Sequence, residues 1–294
     1  MDTLLRLENL SVKYGKDTAL SITSPIAIFE GEHIGVIGSN GAGKSTLIKS
    51  ILGLVDYEGT IQTELKPWQM ATHMQFNEYT NNMPVKYVME GILDTRISTN
   101  SRLQELIQYF EFEECLRKRY QHLSGGQKQR MTIIMVMMQN APLTFYDEVT
   151  SGLDFETRQR LVDKLVSWYQ NREGTVLMVS HYYEELQQFA DKLLILDEGH
   201  VLDFGNKKDL FDKYCGNAVL VVERTEKASQ LLKKYKQLVS PAHSISVSCE
   251  TPEIEMEIVR LLIANDINYK RSNEDIELIY VNAKAAYEAK KEER

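Results

Sequence analysis

Polar and apolar residues alternate through LLRLENLSVKY near the start of the chain, and two apolar runs split by EGE follow in PIAIFEGEHIGVIG. Alternation with a period of two predicts a half-buried strand and unbroken runs predict buried ones, so this region reads as an antiparallel edge feeding a buried strand. Thr46 to Leu54 then reads as a helix stopped by Gly53. After YEGTIQTEL, the stretches VKYVMEGIL and SRLQELIQYFEF carry apolar residues at helical spacing, which predicts mostly helix from about 80 to 123. LTFYDE, TVLMVSH and KLLILDEGHVLDFG are short β-rich runs separated by helical ones, the mark of strands and helices alternating in a parallel sheet. Near KYCGNA the pattern restarts. The strand VLVVER, the helix KASQLLKKYKQLV, a break at Ser240 and Pro241, the strand SISVSC, a helix entered at Thr251 and Pro252, and the strand IELIYV predict a second, small α/β unit. Proline at a first helical position loses no hydrogen bond, so Thr251 and Pro252 are a strong start signal. The last stretch, AKAAYEAKKEER, predicts a solvated, partly frayed helix.

Composition narrows the classes. The 294 residues are 43% apolar and 26% charged with only six prolines, enough to bury a sizeable core and leaving disorder for the tail alone. The formal charge of −8 argues against a nucleic-acid partner held by phosphate neutralisation. Cys115, Cys215 and Cys249 are far apart and lack metal-ligand spacing, which suits a reducing compartment. The start MDTLLRLENL has neither a basic region nor a long apolar stretch, so a cytoplasmic protein is expected. The longest apolar run, MTIIMVMM, falls well short of the roughly 18–20 residues of a membrane-spanning helix. Any membrane role must therefore come through a partner.

The chemistry begins at GSNGAGKST, which follows the strand HIGVIG and opens a helix. Gly38, Ser39, Asn40, Gly41, Ala42, Gly43, Lys44, Ser45 and Thr46 match the phosphate-cradling loop G-x-x-x-x-G-K-[ST]. Its glycines let backbone N–H groups turn toward phosphate oxygens, the helix N-terminus adds partial positive charge, Lys44 neutralises, and the Ser45 hydroxyl is a ligand for Mg²⁺. LTFYDE ends an apolar strand in Asp147, a carboxylate suited to holding Mg²⁺ through water. Glu148 follows directly, where it can orient or deprotonate a water attacking the γ-phosphate. A third element, LSGGQKQR, places Ser124, Gly125, Gly126 and Gln127 where a long apolar helix begins, a second anion-binding helix N-terminus on the same chain.

LSGGQKQR resembles the signature sequence of ATP-binding cassette (ABC) ATPases, and the resemblance runs over roughly residues 3 to 215. It implies an ABC-type P-loop ATPase core over 1–217, with a parallel sheet, an antiparallel β edge and a helical subdomain at about 77–125, and a small C-terminal α/β extension over 218–294. Within it, Tyr14 matches the aromatic that stacks on adenine, and Gln75 matches the glutamine that touches Mg²⁺ and the attacking water. Asp154, in SGLD, matches the loop that reaches the opposing subunit, and His181, in LMVSHYYEEL, the histidine that contacts the γ-phosphate. The chain departs from the family at Ser39 and Val149, positions where proline is usual or frequent; neither removes a catalytic group. The segment between Gln75 and Ser124 is short for the family.

The resemblance also implies a mechanism. The phosphate loop and the signature loop lie on opposite sides of each monomer, so two cassettes meeting head to tail sandwich two ATP molecules, each between Lys44 of one and Ser124 and Gly126 of the other. ATP closes the dimer and hydrolysis reopens it. The expected activity is the ATP-hydrolysing motor of a membrane transporter, an exporter by its C-terminal extension. Its partners would be an integral-membrane permease and a second ATPase subunit, identical or not, at the inner face of the cell membrane. The alternative is a soluble switch ATPase acting on ribosome or DNA. Those relatives usually carry two cassettes or long coiled coils, which this sequence lacks.

Overall fold

The computed structural model describes residues 3–74, 79–170, 172 and 174–292. Strands β1 (Thr3–Tyr14) and β2 (Asp17–Ile22) form a hairpin, with β3 (Ile26–Phe29) antiparallel to β1. Strand β4 (His33–Gly38) runs into helix α1 (Lys44–Ile51), after which β5 (Glu58–Gln62) returns antiparallel to β1 and β6 (Met70–His73) crosses to the far edge. Helices α2 (Val85–Ile92), α3 (Ser101–Tyr109) and α4 (Gly125–Met138) follow. The body is completed by β7 (Leu143–Asp147), α5 (Phe155–Gln170), β8 (Thr175–Val179), α6 (Tyr183–Phe189), β9 (Lys192–Asp197), β10 (His200–Asn206) and α7 (Lys207–Cys215).

Among the described residues these strands make one sheet in the order β3, β1, β2, β10, β9, β4, β8, β7, β6, with β5 beside β1. Strands β9, β4, β8, β7 and β6 run parallel, and every residue of β7 and β8 is buried, as happens when helices cover both faces. Parallel strands put all their C-terminal ends on one edge, where α/β sheets bind ligands. This is the curled mixed sheet expected of the cassette fold. The second half of helix α4 is apolar nearly all round and accordingly buries Met131 through Met137.

The stretch expected to be mostly helical from about 80 to 123 is less so. Pro84 precedes the start of α2, and the left-handed backbone of Asp94 and Glu111 lies just past the ends of α2 and α3, so turns and short 3-10 segments fill the rest. Residues 77 and 78 of the expected subdomain lie outside the described residues.

A second, antiparallel sheet follows in the order β12 (Gln237–Leu238), β13 (Ser244–Cys249), β11 (Ala218–Glu223), β14 (Tyr269–Ser272). Helices α8 (Glu226–Leu232) and α9 (Pro252–Ala264) bury Ala228, Leu232, Ile258 and Leu262 in its core, and Thr251 caps α9 as its spacing predicts. Two expectations are corrected. The helix over KASQLLKKYKQLV stops at Leu232, and its end turns into the edge strand β12. IELIYV is the start of helix α10 (Ile276–Glu292), not a strand. The Asp275 carboxylate accepts the Leu278 N–H at 3.1 Å, which starts the helix, and Ile276, Ile279, Tyr280 and Ala283 bury one stripe at helical spacing. Six residues of which five are apolar are too few to tell a strand period from a helical one; the cap in front of them does. Helix α10 also leaves the small sheet and packs back on α6, α7, β9 and β10 of the first body. No helix among the described residues is long and apolar enough to cross a membrane.

Candidate nucleotide site

The phosphate loop bridges β4 and α1 at the sheet edge where parallel strands end. Gly43 has φ +97°, and a Cβ there would meet the Ala19 carbonyl oxygen at 2.6 Å; at Gly38 the Leu196 carbonyl stands at 2.3 Å. Only glycine fits either place, and the loop is thereby drawn against β2 and β9. Asn40, Gly41, Ala42, Gly43, Lys44, Ser45 and Thr46 line a cavity of about 440 Å³, closed on other sides by Ala19, Glu148 and His181. Lys44 is buried and its ammonium donates to the carbonyls of Gly38 (2.8 Å) and Ser39 (2.9 Å). Burial holds its pKa below the ordinary lysine value, with Glu148 and Asp147 offsetting part of that.

Two further strand ends deliver a carboxylate and an imidazole. At the end of β7, Glu148 takes a left-handed conformation (φ 51°) while its N–H donates to Val179 of β8. At the end of β8, His181 Nε2 lies 2.8 Å from Glu148 Oε1. An ionised carboxylate only accepts, so Nε2–H is the donor and the pair is oriented toward the cavity it lines. A buried carboxylate underneath joins the two strand ends. Glu185 of α6 accepts from Thr150 and from Ser180, each at 2.7 Å, and Arg158 stands 3.7 Å away. Its pKa is raised by burial, which outweighs the hydrogen bonds from Ser180 and Thr150.

The donor set beside the loop suits a divalent cation. Ser45 Oγ donates to Asp147 Oδ2 at 2.7 Å, while the other oxygen, Oδ1, is buried without a hydrogen-bond partner. Burial raises the Asp147 pKa, which the Ser45 hydrogen bond only partly offsets. A buried carboxylate with an unsatisfied oxygen next to a hydroxyl is a hard-oxygen environment that a small cation would complete. No group of three or more His, Cys, Asp or Glu among the described residues could hold a metal ion. A cation here would complete its ligand set with water or with oxygens of a bound ligand.

Other expected residues lie elsewhere on the monomer. Ser124 caps α4 reciprocally with Gln127, its Oγ accepting from the Gln127 N–H (3.3 Å) and its N–H donating to Gln127 Oε1 (3.0 Å). Ser124 and Gly125 are exposed, and Gly126 borders a separate small cavity with Glu111, Arg130, Thr157, Arg160 and Lys164. Asp154 is exposed and caps the start of α5 by accepting from the Thr157 N–H, which holds its pKa low. Tyr14 is half exposed at the end of β1, outside the loop cavity. Gln75 lies outside the described residues. Sequence reasoning missed Ala19, Glu185 and Asp197. Asp197 ends the apolar strand of LILDEG much as Asp147 ends that of LTFYDE, a signal that was available.

The comparisons with known proteins give the family. The family model for ABC transporters matches residues 24–151. The linearmycin resistance ATP-binding protein LnrL of Bacillus subtilis is 28% identical over 273 residues, covering 87% of this chain and 85% of its own. The energy-coupling factor transporter ATP-binding protein EcfA1 of Mycoplasma pneumoniae is 31% identical over 202 residues, 63% of this chain and 73% of its own. Among solved structures, a dimeric ATP-binding cassette in a post-hydrolysis state with ADP and phosphate superposes with a TM-score of 0.59 at 23% identity, over 69% of this chain and 98% of that one. A strand-end phosphate loop, a paired Glu148 and His181, and relatives named as transporter ATP-binding proteins lead to one conclusion: the chain belongs to the ABC transporter family, as an ATP-binding subunit of the ATPase type.

Proposed function

We propose that this protein is the ATP-hydrolysing motor of a membrane exporter, working as a head-to-tail dimer with a second cassette and driving an integral-membrane permease. The observation that carries the reading is the division of the site. The loop cavity gathers Lys44, Ser45, Glu148 and His181, whereas Ser124 is exposed outside it and Gly126 borders a different cavity. A monomer thus offers two incomplete phosphate surfaces, and a second copy placed head to tail would complete each with the other. A cassette of similar fold is dimeric with ADP and phosphate, which supports a dimer here.

In the closed dimer the loop N–H groups and Lys44 hold the β- and γ-phosphates of ATP, and Ser124 with Gly126 of the second cassette caps the γ-phosphate. Tyr14 stacks on the adenine ring, Gln75 approaches the attacking water, and Asp154 reaches across to the second cassette. Glu148 orients and deprotonates the water, and His181 contacts the γ-phosphate once its Nε2–H turns from Glu148 to a phosphate oxygen. Ser45, Asp147 and Gln75 would hold Mg²⁺, which neutralises charge developing on the phosphates. Cleavage removes the group gripped from both sides, and the dimer opens.

Export is supported by the LnrL relative, a resistance protein whose match spans 87% of this chain, more than the first 217 residues can supply. The unit over 218–294 is proposed as an accessory module of that export type. With no spanning helix among the described residues, the chain would sit at the cytoplasmic face of the membrane through its permease. The test is Glu148→Gln. It is expected to bind ATP, to lower turnover at least about 100-fold, and to form a stable ATP-dependent dimer in light-scattering chromatography. A monomer at saturating Mg·ATP would sink the proposal, and affinity purification yielding ribosomes or DNA instead of a polytopic membrane protein would move it to the soluble switch class.

A further inference from the structure

Helix α10 reaches back to the phosphate loop through one carboxylate. Asp197, at the end of β9, is almost fully buried. Its Oδ1 accepts from Ser39 Oγ at 2.9 Å and from the Tyr280 hydroxyl at 3.1 Å, and Lys284 Nζ stands 2.8 Å from Oδ2. Tyr280 and Lys284 are four residues apart and so share one face of α10. Ser39 is held at two points, since its hydroxyl binds Asp197 while its carbonyl accepts from the Lys44 ammonium at 2.9 Å. A continuous polar chain therefore runs from the C-terminal helix through Asp197 and Ser39 to the lysine of the nucleotide cavity. The link depends on the Ser39 hydroxyl.

We infer that Tyr280 and Lys284 are positioning residues for nucleotide binding: they fix Asp197, Asp197 fixes Ser39, and the C-terminal helix thereby sets the shape of the phosphate loop. Two features support the assignment. The apolar stripe of Ile276, Ile279 and Ala283 docks α10 into the core of the first body, so the two polar groups are delivered on a rigid element. Burial would raise the Asp197 pKa, but hydrogen bonds from Lys284, Ser39 and Tyr280 outweigh it and hold the group ionised below the usual carboxylate range. Linkage makes the effect reciprocal: a helix that tightens the loop is itself tightened when phosphate fills the loop. The accessory unit, which α10 terminates, is in this way wired to nucleotide occupancy.

The inference rests on ATP occupying the loop, as proposed above, and the experiment separates the two. Binding of a fluorescent ATP analogue with Mg²⁺ to the full chain is measured for wild type, Lys284→Met, Lys284→Arg, Tyr280→Phe, Ser39→Ala, and the Lys284→Met/Ser39→Ala double variant. Lys284→Met is expected to raise Kd about fivefold or more, with kcat at saturating ATP within about twofold of wild type, and Ser39→Ala is expected to raise Kd by at least as much. Lys284→Arg should restore affinity, and the double variant should be no weaker than the weaker single one, because both act through the same chain. Hydrogen exchange gives a second measurement. Mg·ATP should slow exchange over Ile276–Glu292 in wild type and lose that effect in Ser39→Ala, whose substitution is outside the helix. Unchanged Kd in Lys284→Met and Tyr280→Phe, additive effects in the double variant, or α10 exchange indifferent to Mg·ATP would each overturn the coupling. If wild type itself fails to bind the analogue, the ATPase reading falls instead.

Discussion

Asp147 and Asp197 make an instructive pair. Each ends a buried strand of the same parallel sheet, and each accepts a hydroxyl from the phosphate loop, Ser45 at 2.7 Å and Ser39 at 2.9 Å. Their surroundings then diverge. Asp147 keeps a buried oxygen without a hydrogen-bond partner and has its pKa raised by burial, whereas Asp197 is saturated by Ser39, Tyr280 and Lys284 and has its pKa lowered. The first is left in want of positive charge, which the nucleotide's cation would bring; the second already has it from within the chain. Strand-end carboxylates of like origin thus differ in what their surroundings supply, one keeping an unsatisfied oxygen and one saturated by the chain itself.

The sharpest way to break this comparison is to neutralise each in turn. Asp147→Asn should lower Mg-dependent ATP turnover about 10–100-fold, the usual cost of losing a partner that holds a metal through its ligands. Asp197→Asn should change kcat less than tenfold and act on nucleotide Kd; equal losses of kcat in steady-state assays would end the distinction. A third buried carboxylate sharpens the contrast. Glu185→Ala removes the partner of Thr150 and Ser180, and leaving two buried hydroxyls unsatisfied should cost about 1–3 kcal/mol in chemical denaturation while slowing turnover by misplacing Glu148 and His181.

The smallest effect is one of sign. Asp197 has a lowered pKa, so its stabilisation is present above the unfolded value near about 4 and is lost as pH falls through the folded value. The stability gap between wild type and Asp197→Asn should accordingly narrow at the acid end. Asp147 has a raised pKa, so its ionisation opposes folding: the neutral form is favoured below the unfolded value, and that advantage disappears as pH rises through the folded one. Nucleotide-free Asp147→Asn should then match or exceed wild type at neutral pH in urea midpoints. A wild type more stable than Asp147→Asn without nucleotide at pH 7 would contradict that assignment.

Much of this was legible in the chain and some was not, for identifiable reasons. The glycines and lysine of the phosphate loop, Asp147 with Glu148, and the Ser124 cap sit beside the strand or helix that places them, so spacing alone located them. The antiparallel edge and the strands LTFYDE and TVLMV announced themselves by period or by unbroken burial. IELIYV was misread because five apolar residues among six are too short a run to separate the two periods, and KASQLLKKYKQLV because good helix formers hid an edge strand paired with β13. Asp197 was passed over because its partners are 158 and 83 residues away.

What the amino-acid order determined by itself is local: which segments become strands, where the phosphate loop must turn, and which residue types end each strand, because hydrogen bonds and side-chain periodicity act over a few positions. Tertiary structure alone decided that His181 meets Glu148, that Glu185 clasps their two strand ends together, and that a helix more than two hundred residues beyond the loop closes on Asp197. Those contacts depend on which faces are left to bury once the sheet has formed. Apolar burial of that kind is non-directional, so no short stretch of sequence specifies its partner.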